Sequence, residues 1–232
     1  MKKKHLLFTI ILGFSLLGIV LWGIPLGVFA PKQTSPTTSL SSSISTPTTI
    51  QFTKTMEKKI LMVVAFKNFK DEEYFVTKEV LEKAGYLIDT TSSQKGVAVG
   101  TEGGDVIINL LPSQIYPKDY EAIVFVGGDG MAKELDNQDF QQLAQEFQKA
   151  NKVVAAICVA PGLLAKAGVL EGKKATVWSS ILDKSGIKVL EANGAIYDKG
   201  PVVIDGQIIT ANGPAAAQSF GETIVDALTK NI

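Results

Sequence analysis

Cys158 is the only cysteine of the 232-residue chain, and it stands where a nucleophile could be built. It closes the apolar run VVAAIC at positions 153–158, and Pro161 favours the start of a helix shortly afterwards. A strand that turns sharply into a helix would hold the sulfur at the positive helix end, which lowers the thiol pKa from about 8.5. Cysteine is also among the residue types most often buried in a core. The pattern therefore predicts either a nucleophilic thiol or a packing residue.

Glu73 is the second residue whose placement suggests chemistry. On a helix that begins near Asp71, Glu73 shares one face with Val76 and Val80, so its carboxyl group is expected to point inward. A buried carboxylate needs a partner or a raised pKa, and this one follows the first predicted strand, within reach of another strand end. Acidic residues in a first helical turn also complement the helix dipole, a role that suits Asp71 and Glu72 better than Glu73.

Two glycines, Gly127 and Gly128, follow another apolar run in the segment FVGGDG. Because they lack side chains, they let backbone N–H groups face a cavity, as an oxyanion hole requires, and the amide of Val159 could supply a second donor. A glycine pair after a strand is often only a turn, and this segment matches neither a dinucleotide nor a Walker fingerprint. Each of these features alone is weak evidence. The cysteine, the glutamate and the glycine pair together predict a candidate active site.

Alternating strands and helices must position these residues. Three continuous apolar runs are typical of parallel strands covered on both faces: 60–66, 122–128 and 153–158. Between these strands, helices are predicted at 71–84 and 139–150. After them come a strand in ATVW, a short helix near 179–185, a hairpin around Asp205-Gly206 and a closing helix over about 214–228. This order predicts an α/β fold, an open sandwich in which ligands gather at the carboxyl ends of the strands.

The first 55 residues differ in character from the rest. Three lysines at 2–4 precede an uncharged stretch at 6–30, whose 25 residues exceed the roughly 20 that cross a bilayer. Pro31 directly follows a candidate cleavage site, so a transmembrane anchor or uncleaved signal is favoured over a removed signal peptide. Residues 31–55 hold six Ser, eight Thr and three Pro, which is typical of a flexible linker.

The lysine distribution predicts the orientation of this single-pass arrangement. By the positive-inside rule, residues 1–5 form a short cytoplasmic tail, and the domain at 56–232 lies on the extracytoplasmic side of the cell membrane. If the segment is cleaved, the domain is instead secreted.

Composition excludes several classes of partner and cofactor. The first 55 residues carry five lysines and no acid, which leaves 18 basic and 23 acidic residues, a net charge of −5, for the rest. Such a domain is a poor partner for nucleic acid. The chain has no arginine, one histidine (His5) and one cysteine, so an intrachain disulfide and a Cys/His zinc site are excluded, and no cofactor is indicated.

Five motifs resemble the ThiJ/PfpI superfamily in order and approximate spacing: EEYF…KAG, FVGG, AAICVAP, GKKATVW and ANGP. The resemblance spans about residues 58–230. It implies a flavodoxin-like three-layer sandwich of the class I glutamine amidotransferase type, usually dimeric. It further implies that Cys158 is the nucleophile, that Glu73 hydrogen-bonds its sulfur, and that the glycine pair of the family falls on Gly127 and Gly128.

Two departures from the family pattern limit the chemistry. Protease-type members have a histidine directly after the cysteine, where this chain has Val159, and deglycase-type members have one after the following strand, where it has Trp178. His5 lies at the edge of the apolar stretch, far from the domain in sequence. A Cys-His dyad is therefore excluded, and peptide-bond hydrolysis is disfavoured.

Three functions remain open. The first is addition of the Cys158 thiol to small reactive carbonyls in a glyoxalase- or deglycase-like reaction, with a small carbonyl compound or a damaged protein as partner. The second is a non-catalytic redox sensor or protein-protective, chaperone-like module, in which Cys158 is oxidised beside Glu73. The third is a ligand-binding domain with Trp178 as a hydrophobic pocket wall, although tryptophan is more often simple core or dimer packing.

Overall fold

The computed structural model describes residues 57–230. Its eleven strands and five helices in this range are β1 Lys59–Val63, β2 Lys67–Phe69, α1 Asp71–Lys83, β3 Leu87–Thr91, β4 Gly96–Gly100, β5 Asp105–Ile108, β6 Ala122–Phe125, α2 Gln138–Lys149, β7 Val153–Ile157, α3 Pro161–Lys166, β8 Lys174–Ala175, α4 Ser185–Ala192, β9 Ile196–Tyr197, β10 Val202–Asp205, β11 Ile208–Ala211 and α5 Ala217–Lys230.

The central sheet has six strands in the order β10-β11-β7-β6-β1-β3. All neighbours are parallel except β10 and β11, which form the antiparallel hairpin predicted around Asp205-Gly206. The three central strands β1, β6 and β7 are the continuous apolar runs of the sequence, and all their residues except Lys59 are buried. Continuous apolarity and parallel pairing go together because both faces of such a sheet are covered. The predicted mainly parallel sheet is confirmed.

Alternate residues of these strands enter two separate cores. Leu61, Ile123 and Phe125 point to one face, where they pack with buried side chains of α2 and α3. Met62 and Val124 point to the other face, where they pack with α1 and α5. The period of two in strand side chains divides the apolar residues between the faces and produces three layers.

Residues 179–184 differ from the prediction of a short helix, because the helix α4 begins only at Ser185. The preceding segment is irregular, with a bend at 181–182, and its own polar side chains hold it. The Ser180 hydroxyl accepts a hydrogen bond of 3.0 Å from the Asp183 amide, and Asp183 accepts one of 2.8 Å from the Ser185 amide. Such local bonds offer the backbone an alternative to helix, which the apolar pattern does not reveal.

The cytoplasmic tail at 1–5, the transmembrane anchor at 6–30 and the linker at 31–55 all lie outside the described residues. Across residues 57–230, no helix combines the length and apolarity that crossing a bilayer requires.

Candidate functional site

Cys158 directly follows β7 and adopts a left-handed backbone conformation with φ of +63°. A non-glycine residue in this region carries strain of about 1–3 kcal/mol, which the surrounding structure must hold in place. Two hydrogen bonds do so. The Cys158 amide donates to the Ala211 carbonyl at 2.8 Å, and the Cys158 carbonyl accepts from the Trp178 amide at 2.8 Å. With α3 starting at Pro161, the structure shows the strand-turn-helix elbow that the sequence predicts.

Glu73 lies in the first turn of α1 and is completely buried. Its Oε2 atom accepts a hydrogen bond of 3.0 Å from the Gly127 amide, and its carboxyl group lies beside the Cys158 side chain and interacts with it electrostatically. No N–H or O–H group of the described residues reaches the other oxygen, Oε1. The inward orientation predicted from the helical face is observed, and the structure brings Glu73 to the elbow cysteine.

Steric contacts require glycine at both Gly127 and Gly128. A Cβ atom on Gly127 would lie 2.5 Å from the Cβ of Cys158 and 2.7 Å from Oε2 of Glu73, so no other residue fits without displacing one of them. Gly128 has a φ of +106°, and a Cβ atom there would lie 2.5 Å from the backbone nitrogen of Lys70. Glycine is needed at both positions because backbone and site residues approach them so closely.

The amides near the sulfur are only partly those that the sequence predicts. Gly127 was expected to contribute to an oxyanion hole, but its N–H is occupied by Glu73 and cannot face the cavity. The amides of Gly128 and Val159 lie close enough to the Cys158 sulfur to lower its pKa. The two N–H donors next to the reacting atom therefore come from Gly128 and Val159.

Burial dominates the electrostatics of the pair. Desolvation raises the pKa of Glu73 to about 7, although Cys158 and the Gly127 amide favour the charged form. Desolvation and the Glu73 charge also raise the pKa of Cys158 above its usual range, against the lowering effect of the Gly128 and Val159 amides. The lowered thiol pKa predicted from the helix start is therefore wrong for this pair, since one six-residue helix does not outweigh burial beside a carboxylate.

The two groups consequently titrate as one unit. Two adjacent negative charges are costly in a buried site, so above about pH 7 the pair Cys158 and Glu73 holds a single proton. That proton lies either on sulfur, leaving a carboxylate, or on the carboxyl group, leaving a thiolate. The arrangement can thus supply a nucleophile together with an adjacent acid, without a histidine.

A cavity of about 300 Å³ opens at this end of the sheet, above β6 and β7. Its lining residues come from six loops and helix starts: Lys70, Glu73, Thr101, Gly128, Asp129, Cys158, Val159, Trp178 and Pro214. Trp178 lines the cavity as the sequence predicts and remains 37% exposed. Lys70, Thr101 and Asp129 were not singled out, because they come from irregular segments with no periodic signal.

Asp71 fixes the loop that carries Thr101. Its carboxylate accepts hydrogen bonds from the amides of Glu102 at 2.8 Å and Gly104 at 2.6 Å. The Thr101 amide in turn donates to the Phe69 carbonyl at 2.9 Å. Asp71, whose position in the first helical turn suits the helix dipole, thus also shapes one side of the cavity.

Within residues 57–230, no group of three or more His, Cys, Asp or Glu side chains is arranged to hold a metal ion.

Comparisons with known proteins cover the same part of the chain. Residues 58–227 match the model of the DJ-1/PfpI family. An uncharacterized protein of Methanocaldococcus jannaschii is 43% identical over 174 residues, or 75% of this chain and 83% of that protein. A deglycase of Pyrococcus horikoshii is 28% identical over 173 residues, or 73% and 99% of the two chains. The crystal structure of a ThiJ/PfpI domain protein from Brachyspira murdochii gives a TM-score of 0.71 at 34% identity, covering 74% of this chain and 96% of that one. The flavodoxin-like sandwich expected from the sequence motifs is confirmed.

Proposed function

The chain belongs to the DJ-1/PfpI family, and from this premise we propose that its Cys158–Glu73 pair acts on small reactive carbonyl compounds in a glyoxalase- or deglycase-like reaction. The observation that carries the proposal is the buried Glu73 carboxyl group beside Cys158 at the wall of an open cavity. The similarity to a protein named a deglycase supports the same class of chemistry. The carbonyl group is offered by a free compound or by a damaged protein.

The first chemical step is addition of sulfur to an aldehyde carbon. The Cys158 thiolate forms the S–C bond, the π electrons of the C=O group move to oxygen, and Glu73 donates the shared proton to that oxygen. The amides of Gly128 and Val159 stabilise the developing negative charge. The product is a hemithioacetal, and neither oxidant nor reductant is needed.

A 2-oxoaldehyde can proceed further on the same two residues. The Glu73 carboxylate removes the proton from the former aldehyde carbon and returns one to the neighbouring carbon through an enediol. The hydroxyl proton passes from the former aldehyde oxygen to the ketone oxygen, so the hemithioacetal becomes a thioester of a 2-hydroxy acid. Water then cleaves the thioester and releases the 2-hydroxy acid and the free thiol. The overall change is addition of one water molecule, with an internal transfer of hydrogen between adjacent carbons.

Peptide-bond hydrolysis is disfavoured on the same chemistry. An amine leaving group requires an acid matched to it and a base for water, the tasks that histidine usually performs. Val159 and Trp178 occupy the positions where a histidine would stand beside the sulfur, and His5 is the only histidine of the chain.

The alternative function is a redox sensor or protective module. The raised pKa of Glu73 keeps a proton available near pH 7, and a protonated carboxyl group could stabilise an oxidised Cys158 by hydrogen bonding. Peroxide would supply the oxidising equivalent, giving a sulfenate and water. Stepwise oxygen addition at Cys158 in dilute peroxide, measured by mass spectrometry, supports this function, and its absence contradicts it.

We further propose that the domain is tethered to the cell membrane on its extracytoplasmic side. The support is the 25-residue uncharged stretch at 6–30, the three lysines before it and the Ser/Thr/Pro-rich segment after it. Labelling of intact cells with a membrane-impermeant lysine reagent tests this, since an extracytoplasmic domain is labelled and a cytoplasmic one is protected.

A homodimer is proposed from an exposed apolar face on the β4–β5 hairpin. Val97 and Ile107 pair across the hairpin and are 49% and 69% exposed, and Val99 on the same face is 41% exposed. An apolar patch of this kind is typical of an interface. Ile107→Asp should halve the particle mass in solution, whereas Ile204→Asp, at another exposed isoleucine, should leave it unchanged. A monomeric wild type contradicts the proposal.

The proposed activity is tested by incubating the full chain with methylglyoxal. We expect consumption by the wild type, loss of activity in Cys158→Ser, and a large decrease in Glu73→Gln. Glu121→Gln serves as the matched control, because this partly exposed glutamate lies at the opposite end of the sheet, before β6. Equal consumption by wild type and Cys158→Ser would exclude the reaction.

A further inference from the structure

We infer that the cavity selects carbonyl compounds with an uncharged, apolar substituent over those with an anionic one, and that Trp178 is the residue that sets this preference. The inference rests on the proposed carbonyl chemistry and names its substrate class. It depends on which side chains line the cavity around Cys158, on how Trp178 is held, and on the charges that an entering substituent would meet.

Much of the cavity lining is apolar. Val159, Trp178 and Pro214 line it together with Cys158. The volume of about 300 Å³ lies at the lower end of ordinary small-molecule sites. A substituent on the carbonyl carbon would therefore be in contact with hydrophobic side chains while the carbonyl oxygen faces the amides near the sulfur.

Trp178 is a fixed wall rather than a freely moving surface side chain. Its amide donates to the Cys158 carbonyl at 2.8 Å, which ties its backbone to the nucleophile. Its indole ring lies beside Gly213, where an added Cβ atom would be 3.3 Å from Cδ1 of the ring. A large aromatic surface held this way favours apolar and aromatic groups by burial and stacking.

The charged residues of the cavity disfavour an anion. Lys70 is the only cationic residue among the lining residues, and its ammonium group already forms an ion pair with Glu102. Asp129 also lines the cavity and is exposed, and Glu73 adds a second carboxyl group beside the sulfur. A carboxylate on the substrate would meet one neutralised cation and two acidic side chains, an unfavourable balance in a partly desolvated space.

The preference is tested with three 2-oxoaldehydes of different substituent: phenylglyoxal, methylglyoxal and the anionic 4-carboxyphenylglyoxal. The aryl compounds can be used because the chain has no arginine for them to modify. For the full chain we expect kcat/KM to fall from phenylglyoxal to 4-carboxyphenylglyoxal by at least about tenfold, the ratio that corresponds to 1.4 kcal/mol. Equal values, or faster reaction of the anionic compound, would overturn the inference.

A second measurement keeps the inference separate from the proposed activity. Cys158 is the only thiol, so alkylation by iodoacetate, iodoacetamide and N-benzyliodoacetamide reports on this site alone. Each rate is divided by the rate of the same reagent with N-acetylcysteine, which removes intrinsic reactivity. The normalised rate should be highest for the benzyl reagent and lowest for the anionic one. If no aldehyde is consumed but this order holds, the proposed reaction fails and the selectivity stands.

Variants assign the preference to Trp178. Trp178→Ala should bring the benzyl-to-acetamide ratio close to that of the model thiol, while Trp178→Phe should retain most of it. Tyr116→Ala is the matched control, since this tyrosine is 59% exposed and lies before β6, away from the site. Should Trp178→Ala fail to fold, Asp129→Asn is informative, because it should accelerate iodoacetate without changing the benzyl reagent. A ratio unchanged in Trp178→Ala would contradict the role of the indole.

Discussion

The backbone amide of Gly127 donates a hydrogen bond of 3.0 Å to Oε2 of the buried Glu73. This contact places the carboxyl group next to the elbow cysteine and removes one amide from the set that could bind an oxyanion. The Cys158 carbonyl accepts a hydrogen bond from the Trp178 amide, which joins the nucleophile to the cavity wall. Backbone hydrogen bonds therefore position both the acid and the nucleophile of the site.

The first prediction concerns the pH dependence of Cys158 alkylation. The Glu73 pKa of about 7 implies that the pair loses its first proton near that pH, after which thiolate and protonated carboxyl group become one of its two forms. The alkylation rate with iodoacetamide should therefore rise through about pH 7. In Glu73→Gln this step should vanish, and the rate at neutral pH should fall on the order of tenfold. Superimposable profiles would show that the two groups are not coupled.

The second prediction concerns stability. Burial raises the Glu73 pKa from 4.5 to about 7 in the folded state, so between these pH values the folded protein binds more protons than the unfolded chain. The free energy of unfolding should therefore decrease as pH rises through this window, by on the order of 3 kcal/mol, and level off above it. Glu73→Gln should lose this slope, as measured by chemical denaturation at several pH values. Glu121→Gln should retain the slope, and its disappearance there would assign the effect to another group.

The third prediction concerns Gly127→Ala. The added methyl group would lie within 2.7 Å of both Cys158 and Glu73, so the pair must separate. We expect a destabilisation of about 1–3 kcal/mol and loss of carbonyl consumption. Gly162→Ala on α3 is the control, because its nearest contact is 3.3 Å to the flexible Leu135 side chain. Retention of full activity in Gly127→Ala would show that the close approach is not required.

Local sequence patterns predict the fold and the Cys158–Glu73 pair, and each pattern has a physical reason. Continuous apolar runs identify buried parallel strands, and Glu73 points inward as its helical position predicts, although Val76 and Val80 on the predicted face are only partly buried. The elbow at Cys158 follows from an apolar strand ending shortly before Pro161. These are local signals, and the structure agrees with them.

Other features depend on contacts between distant segments and could not be read from local patterns. The direction of the Gly127 amide is set by Glu73, from another part of the chain. The upward shift of the Cys158 pKa depends on how completely the pair is desolvated. Thr101 reaches the cavity only because Asp71 binds the amides of its loop. The irregular segment at 179–184 depends on side-chain hydrogen bonds rather than on periodicity.

The central claim is that Cys158, with Glu73 beside it, turns over a reactive carbonyl. The most direct measurement is product formation from ¹³C-labelled methylglyoxal by the full chain, followed by NMR. The wild type should accumulate labelled lactate over many turnovers, and Cys158→Ser should form none above the spontaneous rate. Lactate formed equally by both proteins, or by neither, would contradict it.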